Sequence, residues 1–256
     1  MSKRRKFLIC SAVLAVIFWL LQYVPLDYRE LAILIFAIIT YAVGVMALKD
    51  DLHGVEWLTL LLLPVLFSVA AGFFYFLLTN SQLVVRVIVG IFYLVGMYAI
   101  LLTENIYSVA AVRTIQLLRA AHAVGFLMTV LTAVLLFNAL FSFHWPFYLN
   151  VLVAFLVSIP IYLQALWVVK LDDRVTMNLW GMSVILALLT AEIAMGLSFL
   201  PVTVWVASLF VGTVIYVVMG LMQQALQDRL FERTVWEYTS VGVIVMLATL
   251  AITPWK

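Results

Sequence analysis

Residues 57–79 read WLTLLLLPVLFSVAAGFFYFLLT, a stretch without a charged residue. At about 1.5 Å of rise per residue, a helix over this stretch is about 34 Å long, which is enough to cross the hydrocarbon core of a bilayer. The whole chain has the same character, because 67% of its 256 residues are hydrophobic and 10% are charged. A soluble domain carries about 25% charged residues. The composition therefore predicts an all-α integral membrane protein and excludes a soluble enzyme.

Nine apolar stretches, bounded by charges, Pro or turn residues, predict a polytopic bundle of about nine transmembrane helices. They are Phe7–Val24, Leu31–Leu48, Trp57–Thr79, Leu83–Thr103, Ala120–Phe141, Phe147–Val169, Asn178–Leu200, Thr203–Met222 and Trp236–Thr253. The last has a short apolar part, Val241–Ile252, so the sequence leaves open whether residues 236–253 cross the membrane or lie in its interface. The stretches use up the chain, and we expect one membrane domain over residues 1–256.

The basic residues predict an orientation, because cytoplasmic loops are enriched in Lys and Arg. With the N-terminus inside, the cytoplasmic side holds Lys3, Arg4, Arg5, Lys6, Lys49, Arg113, Arg119, Lys170, Arg174, Arg229 and Arg233, whereas the other side holds Arg29, Arg86 and Lys256. We therefore expect residues 1–6 to form a basic cytoplasmic cap. The apolar run that follows is longer than the core of a signal peptide, so we expect it to be retained as the first span.

The longest predicted cytoplasmic loop is residues 104–119, ENIYSVAAVRTIQLLR. It mixes apolar residues with Arg113, Gln116 and Arg119 and contains no Gly or Pro. This composition is typical of an amphipathic helix that lies in the membrane interface. The same residues fit a cytoplasmic extension of the fourth or the fifth span, and the sequence leaves both interpretations open.

Glu104, Arg113, Arg119 and His122 form a candidate site for an anion or a lipid headgroup. The arginines and the histidine are able to bind a phosphate, with Glu104 orienting an arginine or acting as a base. Ordinary anchoring at the cytoplasmic surface explains the same residues. Because Arg113 and Arg119 would lie about 240° apart around one helix, the spacing favours anchoring.

Glu192 is the acidic residue predicted to lie deep inside a span. Around the same helix, Ser183, Ala187, Thr190 and Ala194 form a stripe of small residues, and Glu192 projects from nearly the opposite side. A carboxyl group at this depth needs protein or water around it, so we expect both faces of this helix to be covered. Glu192 is interpreted either as a proton- or cation-binding group in a transport path or as a structural acid that bonds another span.

No catalytic, metal-binding or cofactor-binding set is predicted. Cys10 is the single cysteine, and His53, His122 and His144 fall on different loops. The paired acids Asp50-Asp51 and Asp172-Asp173 lie on short turns, where adjacent side chains point apart. We therefore expect no metal site and no cofactor, and the sequence shows no basic patch for nucleic acid.

Two segments carry a resemblance to a known family, Leu102-Thr103-Glu104-Asn105-Ile106 and Arg113-Thr114-Ile115-Gln116-Leu117-Leu118-Arg119. They resemble part of a family of uncharacterised multi-pass membrane proteins of bacteria, grouped as a domain of unknown function. The resemblance implies the plasma membrane of a bacterium. It implies no activity and assigns no functional residue.

Three functional hypotheses follow from the residues. The leading one is a non-enzymatic scaffold or accessory subunit of a membrane complex, because polar groups in the spans are sparse and no catalytic set is visible. Its expected partners are the lipid bilayer and another membrane protein or further copies of the chain. The second is a small proton- or cation-coupled transporter that uses Glu192. The third is an enzyme on lipid-linked phosphates that uses the Glu104 to His122 region.

Overall fold

A computed structural model describes residues 3–49, 52–78, 83–112, 116–172 and 174–254. Within these ranges the chain is helical and contains no β-strand. The described α-helices are α1 Lys3–Leu20, α2 Arg29–Leu48, α3 Glu56–Leu77, α4 Leu83–Val112, α5 Leu118–Ser142, α6 Phe147–Lys170, α7 Met177–Ser198, α8 Val204–Leu226 and α9 Glu232–Ile252.

All nine of these helices are long and apolar enough to cross a membrane. The predicted all-α fold with about nine spans is therefore confirmed for the described part of the chain. The ninth segment, which the sequence left uncertain, forms a continuous helix of 21 residues. Lys3 to Lys6 of the predicted basic cap belong to the first turn of α1, whereas residues 1 and 2 lie outside the described residues.

Helix α4 is longer than predicted. It has 30 residues and runs through Glu104 to Val112 without a break. Residues 113–115 lie outside the described ranges, and α5 begins at Leu118. Of the segment 104–119, residues 104–112 therefore belong to α4 and extend the fourth span, as one of the two interpretations left open predicts. The physical reason is that residues 104–112 continue the apolar face of α4 and contain neither Gly nor Pro to end it.

The packing of the helices divides the chain into two compact units, Met1–Thr132 (unit 1) and Ala133–Lys256 (unit 2). The boundary falls inside α5, so unit 1 holds α1 to α4 with the start of α5. Unit 2 holds the end of α5 with α6 to α9.

An aromatic and hydroxyl cluster forms the centre of unit 1. The ring of Tyr93 stacks on Phe18 at 4.4 Å and on Phe67 at 5.5 Å between centroids. The hydroxyl groups of Thr40, Ser68 and Tyr93 form a hydrogen-bonded chain with steps of 3.1 and 2.7 Å. These residues come from α1, α2, α3 and α4, so the cluster ties four helices together.

Unit 2 is held by hydrogen bonds between its helices. The hydroxyl groups of Tyr162 and Thr190 lie 2.8 Å apart and join α6 to α7. The side-chain amide of Gln223 donates to the backbone carbonyl of Ala165 at 2.7 Å, which joins α8 to α6. Helix α9 packs against α8 and is exposed over most of its surface.

We expect Gly212→Ala to destabilise the protein by about 1–3 kcal/mol, because the added Cβ would overlap the Val134 side chain across the α5–α8 contact. Gly196→Ala in α7 is the matched control, since nothing lies within 4 Å of its added Cβ. The measurement is the midpoint of thermal unfolding in detergent. Equal midpoints for the two variants would contradict the close α5–α8 packing.

Candidate functional site

A buried carboxyl group marks the start of α3. Glu56 is 6% exposed, and its Oε2 accepts the backbone N–H of His53 at 3.1 Å. A glutamate that reaches back three residues in this way satisfies an amide left open at a helix start. The same oxygen accepts the hydroxyl of Ser108 at 3.0 Å. One carboxyl oxygen therefore holds the turn before α3 and ties it to α4.

A second acid lies close by along the chain. Glu104 is completely buried and precedes Ser108 by four residues on α4, so the two point from the same face of the helix. Two acidic side chains are thus buried around the junction of α3 with the last turns of α4. We call Glu56, Glu104 and Ser108 the acidic junction.

The start of α5 is joined to the same part of α4. The Tyr107 hydroxyl donates to the backbone carbonyl of Ala121 at 2.9 Å, and the Tyr107 ring lies 5.5 Å from the His122 ring. Gly125 allows this approach, because a Cβ there would overlap the Tyr107 hydroxyl. His122 is half-buried as a result of this packing.

The predicted anion site is only partly described. Glu104 is buried, whereas Arg119 at the start of α5 is exposed, so these two side chains lie in different surroundings. Arg113 lies outside the described residues, as do Asp50, Asp51 and Asp173. The binding of an anion or a headgroup by Arg119 and His122 stays a prediction. In the described ranges, no group of three or more His, Cys, Asp and Glu side chains could hold a metal ion.

Helix α7 packs through its small residues, as predicted. Ser183, Ala187, Thr190 and Ala194 are all buried. Glu192 is exposed on the other side of the helix, together with Leu188 and other large apolar residues. Within unit 2, the expectation that both faces of this helix are covered is therefore wrong. The small residues bring α7 close to α6, and that contact uses one face only.

Glu192 differs in its surroundings from Glu237, an exposed acid of α9. Glu237 accepts a hydrogen bond from Arg233, one turn away on its own helix, at 2.9 Å. Within the part of the chain that the structure describes, Glu192 has no hydrogen-bond or ion-pair partner. It lies six residues before the end of α7, which is about 9 Å along the helix axis.

The nine helices of the described ranges, all long and apolar enough to cross a membrane, define a multi-pass α-helical membrane protein. Within this class, the chain belongs to the family described as Protein of unknown function (DUF5656), whose model matches residues 46–252. The resemblance to an uncharacterised family is confirmed. Comparison with curated proteins and with solved structures finds no match.

Sequence reasoning missed Glu56. An acidic residue directly before an apolar run is what many helix starts contain, so nothing in the sequence separates Glu56 from an ordinary first-turn acid. The signal that marks it is tertiary, because its partner Ser108 is 52 residues further along the chain.

We expect Ser108→Ala to lower stability by about 1–3 kcal/mol, because the buried Glu56 carboxyl loses a hydrogen-bond donor. Ser183→Ala is the matched control, since Ser183 is equally buried but donates to the Leu179 carbonyl of its own helix. Thermal unfolding in detergent measures both. Equal unfolding temperatures for Ser108→Ala and Ser183→Ala would contradict a stabilising role of the acidic junction.

Proposed function

We propose that the protein is a non-enzymatic accessory or scaffold subunit that holds a second membrane protein against α7. The surface concerned is the outer face of α7, formed by Ile185, Leu188, Glu192, Met195 and Phe199, which we call the Glu192 face. The observation that carries the proposal is an exposed acidic side chain inside a membrane-spanning helix, with no partner among the described residues.

The cost of exposing an acid to lipid supports this proposal. An ionisable side chain at the centre of a transmembrane helix costs on the order of 3 kcal/mol, and such residues usually face protein or water. The apolar neighbours of Glu192 need no partner, because lipid covers them as well as protein does. A partner helix that offers a basic or hydrogen-bonding side chain removes the free-energy cost of exposing Glu192 to lipid. It gives no comparable gain at the apolar residues around Glu192. The occupant expected on the Glu192 face is therefore a transmembrane helix of another protein with such a donor.

The exposure of Glu192 also favours a partner contact over the other two functions considered. A group that couples proton or cation transport works inside a hydrated path enclosed by protein, and Glu192 lies on the outside of its helix. An enzyme on lipid-linked phosphates needs its acid accessible to the headgroup, and Glu104 is completely buried.

The proposed setting is the plasma membrane of a bacterium, with the N-terminus in the cytoplasm. The uneven distribution of Lys and Arg between alternate loops supports this orientation. The bilayer is the second partner, because the exposed surfaces of the helices are apolar.

The experiment places a photo-crosslinking residue at Leu188, one turn from Glu192, in native membranes. We expect a cross-link to a different membrane protein, and we expect Glu192→Leu to reduce it by about tenfold or more, because the buried polar contact is lost. Identification of the cross-linked protein by mass spectrometry is the measurement.

Two controls match this experiment. Leu209 of α8 is 52% exposed, as is Leu188, and a crosslinker there should capture only lipid or unrelated proteins. Glu237→Leu removes an exposed acid from α9 and should leave the Leu188 cross-link unchanged. The accessory-subunit proposal is contradicted if Leu188 captures only lipid, or only a second copy of this chain.

A further inference from the structure

A partly open cavity of about 280 Å³ lies in unit 1, where α1 and α3 end and α4 begins. Its walls include Gln22 and Tyr23 from the 3₁₀ turn that follows α1. Tyr75 and Phe76 come from α3, and Arg86 comes from the first turn of α4. Polar and aromatic side chains from three helices therefore meet in one recess at one end of unit 1.

Hydrogen bonds fix the orientation of the polar side chains in this recess. The Oε1 of Gln22 accepts the Tyr75 hydroxyl at 3.3 Å and an N–H of Arg86 at 3.4 Å. Because a guanidinium can only donate, the Gln22 atom that faces it must be the oxygen, and the amide N–H groups lie on the other branch. Gln22 thus positions Arg86.

The charge of the recess is positive. Arg86 is half-buried, and one of its N–H groups donates to Gln22. Of the described residues that line the cavity, none has a carboxylate. An anion that enters the cavity meets the Arg86 guanidinium, whereas an ammonium group meets no carboxylate among these residues.

We infer that this recess binds a negatively charged phosphate group through Arg86, whose guanidinium is positioned by Gln22, with Tyr75 holding Gln22 in place. A planar guanidinium matches two phosphate oxygens at once, and a site close to the ends of three spanning helices lies at headgroup depth. The cavity is slightly smaller than the range of about 300–1,000 Å³ that holds drug-sized ligands, so it fits a headgroup rather than a whole lipid. This inference does not depend on the proposed role of Glu192.

Two kinds of molecule carry such a phosphate group, an anionic phospholipid and a soluble phosphate ester. The test uses the full chain in a non-ionic detergent, with phosphatidylglycerol, phosphatidylcholine or glycerol 3-phosphate added. Native mass spectrometry measures binding, and the unfolding temperature measures stabilisation. We expect phosphatidylglycerol to bind more tightly than phosphatidylcholine. Additional binding of glycerol 3-phosphate would point to a soluble ester, and binding of the lipid alone would point to a headgroup.

Variants of two arginines distinguish binding in this recess from a general attraction between the positive charge of the protein and the anion. We expect Arg86→Gln to weaken binding by about tenfold or more, and Arg86→Lys to weaken it less, because lysine keeps the charge but loses the two-pronged contact. Arg29→Gln is the matched control, since Arg29 is also half-buried, begins α2 and does not line the cavity. Its binding should equal that of the wild type.

Three outcomes would overturn the inference. In the first, neither phosphatidylglycerol nor glycerol 3-phosphate binds. In the second, Arg86→Gln binds as tightly as the wild type. In the third, Arg29→Gln and Arg86→Gln weaken binding equally. Direct binding measurements on the lysine variant keep the test valid even if Arg86→Gln unfolds at a lower temperature.

Discussion

The lack of water in the hydrocarbon core of a bilayer is the constraint on which this structure depends. A polar side chain inside a span must find its partner within the protein, because lipid offers none. The chain meets this demand with hydrogen bonds between helices, as in the Thr40, Ser68 and Tyr93 chain and the Tyr162–Thr190 pair. The acidic junction follows the same rule, because the buried Glu56 carboxyl accepts one hydrogen bond from the turn before α3 and another from Ser108 of α4.

Two charged side chains lie where molecules outside the chain can reach them. Glu192 lies on the exposed face of α7, and Arg86 lines a recess that is open on one side. Both therefore point to molecules outside the chain, a partner helix in one case and a phosphate group in the other. The physical argument is the same for both, because a charge near or within lipid is stabilised only by an opposite charge or by hydrogen bonds.

The sequence predicted the helices but did not indicate the buried contacts of Glu56. Hydropathy located all nine described helices, and the stripe of Ser183, Ala187, Thr190 and Ala194 correctly indicated the packed face of α7. The sequence did not decide whether residues 104–112 extend α4, because they carry polar groups that are typical of a loop. In the structure, Ser108 bonds α3 and Tyr107 bonds α5, and both are buried. The roles of Glu56 and Gln22 were not visible, since each depends on a residue more than a dozen positions away.

Hydropathy alone is enough to identify a membrane protein with about nine helical spans, because a run of roughly 20 apolar residues is a local property that matches the thickness of the bilayer. Which polar groups are buried and which are exposed depends instead on the packing of helices that are distant in the chain. The sequence predicts Glu192 deep inside a span and Glu104 at the start of a cytoplasmic loop. One is exposed and the other completely buried, because the neighbours that cover a helix face come from distant parts of the chain.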